Sequence, residues 1–157
     1  FNAIMLDKKD RIILNELQTD ADRKIYQLEK STLLPRSTIH NRIKRLKRDG
    51  VIQKIKAVVD PRELDLNVTA LVHIIVTFKK GARTIAERIS KLDNVEEVHL
   101  TAGEFDIIAK VRFHSNKDIS NFIFGEKGGL KCWEGIERTE SMICVDTVKE
   151  NGILKGK

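Results

Sequence analysis

The stretch LPRSTIHNRIKRLKRDGVI, residues 34–52, joins a narrow apolar stripe to a broad run of positive charge. Ile39, Ile43 and Leu46 fall at i, i+4 and i+7, the spacing of one helical face, and Gly50 supplies a stop. Pro35 restricts Leu34 to extended backbone and suits the first turn of a helix, so one helix is predicted to end before it and another to begin there. Around the stripe stand Arg36, Ser37, Thr38, His40, Asn41, Arg42, Lys44, Arg45, Lys47 and Arg48. Such a helix needs an apolar surface for its back and a polyanion for its front.

Upstream, Asp7 can cap a helix over residues 7–19, with Asp10 three residues later in a weaker version of the capping box and Ile12, Ile13, Leu14 and Leu17 on helical spacing. Asp20 and Asp22 break that pattern, and a short helix over residues 25–32 turns Ile25 and Leu28 inward. Two short helices followed by a basic third give the helix-turn-helix arrangement that sets one helix in the DNA major groove. Arg36, Ser37, Thr38, His40 and Asn41 lie on its N-terminal half, where such helices approach base edges, whereas Arg42, Lys44, Arg45, Lys47 and Arg48 are candidates for phosphate contact.

After Gly50 the period changes. Residues 53–59 alternate polar and apolar up to Asp60-Pro61 and read as a wing or linker strand. The pattern then predicts a strand over residues 68–78, a turn at Lys79-Lys80-Gly81, and a helix over 82–92 with Ile85, Ile89 and Leu92 inward. Strands over 95–101 and 106–113 follow, joined by a loop with Gly103 at its bend. A helix capped by Ser115 or Asn116 carries Ile119, Phe122 and Ile123 on one face. A glycine-rich loop over 125–129 and a long last strand over 136–148 complete the order. The fold class is therefore α+β: a winged-type helix-turn-helix domain over residues 5–60 and a ferredoxin-like βαββαβ domain over 61–152. Val, Ile and Leu on both sides of the strands predict that the helix-free face of the sheet buries against another copy of the chain.

Charge divides the same way. Residues 1–60 hold 14 Lys and Arg against 8 Asp and Glu, while residues 61–157 hold 15 of each, so the whole surplus of six lies where a polyanion would be met. No apolar run reaches the length of a membrane span and no leader pattern is present, which predicts a cytoplasmic protein without membrane partners. Cys132 and Cys144 form no metal or redox pair and read as small buried hydrophobes. His40, His73, His99 and His114 are scattered, and Glu96 and Glu97, as strand neighbours, point to opposite faces. No nucleophile elbow, metalloprotease pair or phosphate loop occurs. Neither catalysis, a metal nor a cofactor is expected.

Three segments together resemble a known family: residues 34–52, the loop TAGEFDIIAKV at 101–111, and RTESMICVDTVKENG at 138–152 are similar to signatures of the leucine-responsive regulator/AsnC, or feast/famine, regulators. The resemblance implies a helix-turn-helix, a hairpin linker and a βαββαβ effector domain that dimerises through its sheets and often builds octamers. It also implies an amino acid or related metabolite held near the loop, making Thr101, Ala102, Gly103, Glu104 and Asp106 candidate effector contacts. Loop N–H groups can receive an α-carboxylate, and a carboxylate can receive an α-ammonium. Two departures stand out. Leu33 occupies a turn position where relatives usually have Gly or Asn, and Pro35 replaces a capping Ser. The expected function is a sequence-specific, double-stranded-DNA-binding transcriptional regulator that answers to an amino acid. The alternatives are an architectural DNA-compacting protein with little sequence preference, and an enzyme or an enzyme's regulatory subunit.

Overall fold

The computed structural model describes residues 5–77, 81–150 and 152–154. The described residues fall into two compact units, one of residues 5–58 with 149, 150 and 152–154, the other of residues 59–77 and 81–148. The first holds α1 (Lys8–Thr19), α2 (Ile25–Thr32) and α3 (Arg36–Arg48). Asp7 caps α1 through a reciprocal box with Asp10, as the spacing predicted. Ile13, Leu28 and Ile39, one from each helix, form the fully buried centre of this unit, with Leu17, Ile25, Leu34 and Ile43 packed around them. Pro35 stands at the N-cap of α3, one position before the first turn where it was expected. In the tail, Leu154 exchanges two hydrogen bonds with the side-chain amide of Gln18 on α1: its N–H donates at 2.8 Å and its carbonyl accepts at 2.9 Å.

The centre of the helical unit is small, and a polar cluster supplements it. Asp10 is completely buried. Arg42 reaches it at 2.8 Å and also reaches Asp7 at 2.7 Å, while Arg45 reaches its other oxygen at 2.5 Å. A buried carboxylate needs such partners to offset its lost hydration. Two carboxylates and two guanidinium groups thus fasten α1 to α3 with no net charge.

The second unit contains β1 (Val68–Val76), α4 (Ala82–Ile89), β2 (Val95–Leu100), β3 (Ile107–Phe113), α5 (Asn116–Phe124) and β4 (Ile136–Ile143), in the predicted βαββαβ order. The antiparallel sheet runs β2-β3-β1-β4. Ala70, Val72 and Ile74 of β1 share a core with Ile107, Ala109 and Val111 of β3 and with Ile85, Ile89, Ile119 and Ile123 of the two helices. The glycine-rich segment is a tight loop: a Cβ on Gly129 would lie 2.4 Å from the Gly125 nitrogen.

Several expectations are corrected. Residues 53–60 form no strand, because nothing among the described residues pairs with them, and each is exposed. The predicted turn at Lys79-Lys80-Gly81 falls largely outside the described residues. β4 stops at Ile143, opposite Ala70; the Cys144 N–H still donates to the Thr69 carbonyl at 2.9 Å, and β1 begins one residue before that contact, at Val68, too short a length to pair the strand expected out to residue 148. Cys132 is exposed and Cys144 only half-buried, against the buried placement expected. A β-bulge between Val95 and Glu97 breaks the alternation of β2. Glu97 aligns with Lys110 while Glu96 bonds Lys110 and Arg112, so both carboxylates share the helix-free face. That face is consequently less apolar than predicted. Leu71, Ile75, Ile108 and Met142 line it beside the Glu96, Lys110 and Arg112 network, in which Arg112 also donates to Thr69 Oγ1 at 3.0 Å. Burial of Glu96 raises its pKa, but the hydrogen bonds and charges of Lys110 and Arg112 outweigh that and leave it lowered.

Leu33 ends α2 in the left-handed region, at φ 57° and ψ 27°, and is 87% exposed. The side chain gains no burial for the strain its Cβ creates. Leu33→Gly is expected to raise stability by about 0.5–1 kcal/mol, relief of the strain exceeding the extra freedom glycine gives the unfolded chain. Urea denaturation checks this, and a lowered midpoint would refute it. A second expectation concerns acid. Asp7 has its pKa lowered from 3.8 to about 2, first by the Asp10 backbone N–H and then by Arg42. A depressed carboxylate contributes stability that is complete above its unfolded pKa and lost as pH falls through the folded one. The thermal midpoint of the wild type should therefore fall between about pH 4 and 2 more steeply than that of Asp7→Asn. Parallel curves would exclude this contribution.

Candidate DNA-binding helix and effector loop

Helical geometry divides the ten predicted DNA contacts into two sets. Arg36, Ser37, His40, Asn41, Lys44, Lys47 and Arg48 are exposed and share one face of α3. Thr38, Arg42 and Arg45 are half-buried on its flanks, and both arginines are held by the Asp7 and Asp10 cluster. Their engagement was legible in the spacing. Arg42 follows Ile39 by three residues, and a guanidinium placed that close to the buried stripe requires a carboxylate partner. Among the exposed cations, Arg36 pairs with Glu29 at 2.5 Å and Arg48 with Asp49 at 2.8 Å. Lys44 and Lys47 project from the same side with no ion pair among the described residues, leaving them to a phosphate.

The front of α3 thus presents hydrogen-bonding groups toward its N-terminus and ammonium groups toward its C-terminus. Arg36 and Asn41 have the donor and acceptor patterns that read guanine and adenine edges. Lys44 and Lys47 are point charges suited to phosphate oxygens. The clamp fixes the back of the helix, so these side chains start from a rigid element rather than a loop.

In the second unit the predicted effector residues occupy the loop between β2 and β3. Thr101, Ala102, Gly103 and Glu104 are exposed, whereas Asp106 is half-buried. The Asp106 N–H donates to the Ile74 carbonyl at 3.0 Å, and its Oδ2 accepts from the Val76 N–H at 2.8 Å, which pins the loop to β1. The Thr101 N–H closes the loop on the Asp106 carbonyl at 3.0 Å, and its hydroxyl donates to the Phe105 carbonyl. Gly103 does not need its glycine for backbone reasons, since its φ is not positive. What it leaves is room, with no atom within 4 Å of an added Cβ.

Sequence reasoning missed the side chains that flank this loop. Phe105 stacks on His73 of β1 with ring centroids 4.6 Å apart, and the Arg138 guanidinium lies 5.8 Å from the Phe105 ring and 3.5 Å from Glu104. His73 is buried, and its Nδ1 has no hydrogen-bond partner among the described residues. Only the strand register brings His73 and Arg138 to the loop, so no local pattern could have shown it. Among the described residues no cluster of three or more His, Cys, Asp or Glu side chains could hold a metal ion. No helix there is long and apolar enough to cross a membrane.

Comparison with known proteins matches both units. Residues 6–47 match the AsnC-type helix-turn-helix domain and residues 69–154 the Lrp/AsnC ligand binding domain. An uncharacterized HTH-type transcriptional regulator of Pyrococcus abyssi is 37% identical, over 94% of this chain and 98% of its own. The leucine-responsive regulatory protein of Salmonella typhimurium is 33% identical, over 95% of this chain and 90% of its own. Among solved structures, AsnC of E. coli superposes with a TM-score of 0.84 at 25% identity, covering 96% of this chain and 99% of that one. A Neisseria meningitidis transcriptional regulator in complex with L-methionine superposes at 0.88 with 24% identity, covering 96% of each chain. With both domain models matched in order and relatives aligned over nearly its whole length, the chain belongs to the Lrp/AsnC family.

Proposed function

We infer that this chain is a sequence-specific DNA-binding transcriptional regulator that responds to a free amino acid or a closely related metabolite, acting in the cytoplasm as a dimer or higher assembly. One observation carries the DNA-binding part: seven exposed polar and basic residues share one face of α3, whose opposite face is fixed by the core and the Asp10 clamp. The named functions of the Pyrococcus and Salmonella relatives support the same reading. Residues 5–60 would serve DNA and residues 61–152 the effector and assembly. Paired half-sites require paired helices, and the apolar strip Leu71, Ile75, Ile108 and Met142 on the sheet offers a surface for pairing.

For the effector, the exposed backbone of residues 101–104 supplies N–H groups for a carboxylate, and Asp106 retains Oδ1 for an ammonium while Oδ2 holds β1. The Neisseria structure holds L-methionine, which supports an amino acid as the ligand class.

Two measurements test this reading. Two protomers making about three or four phosphate contacts each should give a log-log salt slope of DNA affinity near −5 to −7. Lys44→Ala should weaken binding to all duplexes alike, whereas Arg36→Ala or Asn41→Ala should also lose about 1–3 kcal/mol of discrimination between operator and random sequence. Identical, sequence-independent effects would favour an architectural DNA-compacting protein. Separately, Asp106→Asn keeps an oxygen for the Val76 N–H and removes the charge. Calorimetry against the twenty amino acids should find a binder whose affinity falls by about tenfold or more in this variant, with DNA binding unchanged. Undiminished affinity would remove Asp106 from the effector site.

A further inference from the structure

The helix-turn-helix unit has a second concavity, remote in sequence from the effector loop. Its three-residue centre closes only partly: the outer sides of Leu17, Ile25, Leu28 and Ile43, with Ala21 and Ile55, floor a groove of about 480 Å³. Sites for small molecules span about 300–1,000 Å³. Three basic side chains, Arg23, Lys44 and Lys47, and the imidazole of His40 stand over this floor, and no acidic residue is among the described residues that line it. Arg23 is braced by Glu16 and lies 3.7 Å from Asp20, so its position at the mouth is held. His40, Lys44 and Lys47 follow one another at i, i+4 and i+7 along α3, where one anion can meet more than one of them.

We propose that this groove binds an amphiphilic monocarboxylate, with its apolar body of about six to twelve carbons on the leucine and isoleucine floor and its carboxylate against Lys44 and Lys47. An apolar floor beside the ammonium groups of Lys44 and Lys47 selects both halves of that ligand. A neutral alcohol leaves the rim unanswered. A free amino acid brings an ammonium against Lys44 and Lys47 and too small an apolar body, so the groove and the effector loop divide ligands by charge type. His40, Lys44 and Lys47 also belong to the exposed face of α3. A carboxylate seated there neutralises groups that would meet phosphate and blocks that edge of the helix, making the ligand a direct competitor of DNA. Ligand binding stands on the groove itself, and only the competition rests on the DNA-binding reading.

The test uses the full chain with ¹³C-labelled Ile and Leu methyl groups, titrated with octanoate, octanol and leucine. Saturable shifts confined to the methyls of Leu17, Ile25, Ile43 and Ile55 are expected with octanoate. Octanol should bind about tenfold more weakly, and leucine should produce no shift there. Ala21→Trp, which fills the groove from its rim, should abolish the octanoate shifts, whereas Asp106→Asn should retain them. Shifts absent up to the solubility limit, equal affinity for octanol, or full binding by a folded Ala21→Trp would each overturn the proposal. Should Ala21→Trp fail to fold, the wild-type methyl map and the octanol comparison decide alone. Groove signals that move on simple dilution would mean that a second copy fills the groove, which also overturns it. Fluorescence anisotropy of a labelled duplex then tests competition. Saturating octanoate should weaken DNA affinity about threefold or more. Unchanged affinity with groove shifts present would remove the competition and leave the site. Duplex affinity without octanoate tests DNA binding independently.

Discussion

The first unit depends on a carboxylate that water cannot reach. Asp10 sits beneath α1 with its oxygens divided between Arg42 and Arg45, and Asp7 shares Arg42 from the helix cap. Four fully buried isoleucine and leucine side chains, Ile13, Leu28, Ile39 and Leu46, alone define the packing of three short helices weakly, because each is worth about 2–3 kcal/mol and none of them is directional. The clamp is directional. A carboxylate that bridges two guanidinium groups on α3 fixes both the spacing and the rotation of that helix about its axis, and that rotation decides which residues face outward. Ion pairs of this kind add little net stability once desolvation is charged against them, and their contribution lies in specifying one arrangement. The neutrality of the cluster has a second effect: the surplus charge of α3 is left entirely on its outer face.

The sheet unit solves a different problem. A helix-free face that was uniformly apolar would associate with anything apolar and in any register. Here the β2 bulge swings Glu96 onto the same side as Glu97, and Glu96, Lys110, Arg112 and Thr69 form a bonded network beside Leu71, Ile75, Ile108 and Met142. A mixed face of this kind confers selectivity, because a partner must present matching polar groups or leave buried charge unpaired.

Much of this was legible in the residues. The three helices of the first unit, the Asp7 cap of α1 and the βαββαβ order followed from apolar periodicity, from Asp7, Pro35 and Gly50, and from the resemblance of three segments to one family. What failed did so for physical reasons that local pattern does not carry. Strand status requires a partner, so alternation alone misread residues 53–59 and extended β4 beyond Ile143. A bulge cancels alternation without any distinctive residue, which misplaced Glu96. Asp10 was read as half of a capping box, which it is, while its larger role needed two arginines more than thirty residues away. His73 and Arg138 reached the effector loop only through strand register.

The two compact units also constrain how a ligand signal could be used. A molecule held at residues 101–106 touches a loop whose internal bonds, Thr101 to Asp106 and Asp106 to β1, are complete without it. A loop already closed gains little order from a ligand, so induced local folding has little free energy to transmit. A ligand shifts an equilibrium only by its differential affinity for the two states. The states available to a self-contained domain with an exposed loop and a selective sheet face are states of association. On the proposed reading, an effector at this loop acts by selecting among states of association, while each helix-turn-helix keeps the geometry that Asp10 gives it.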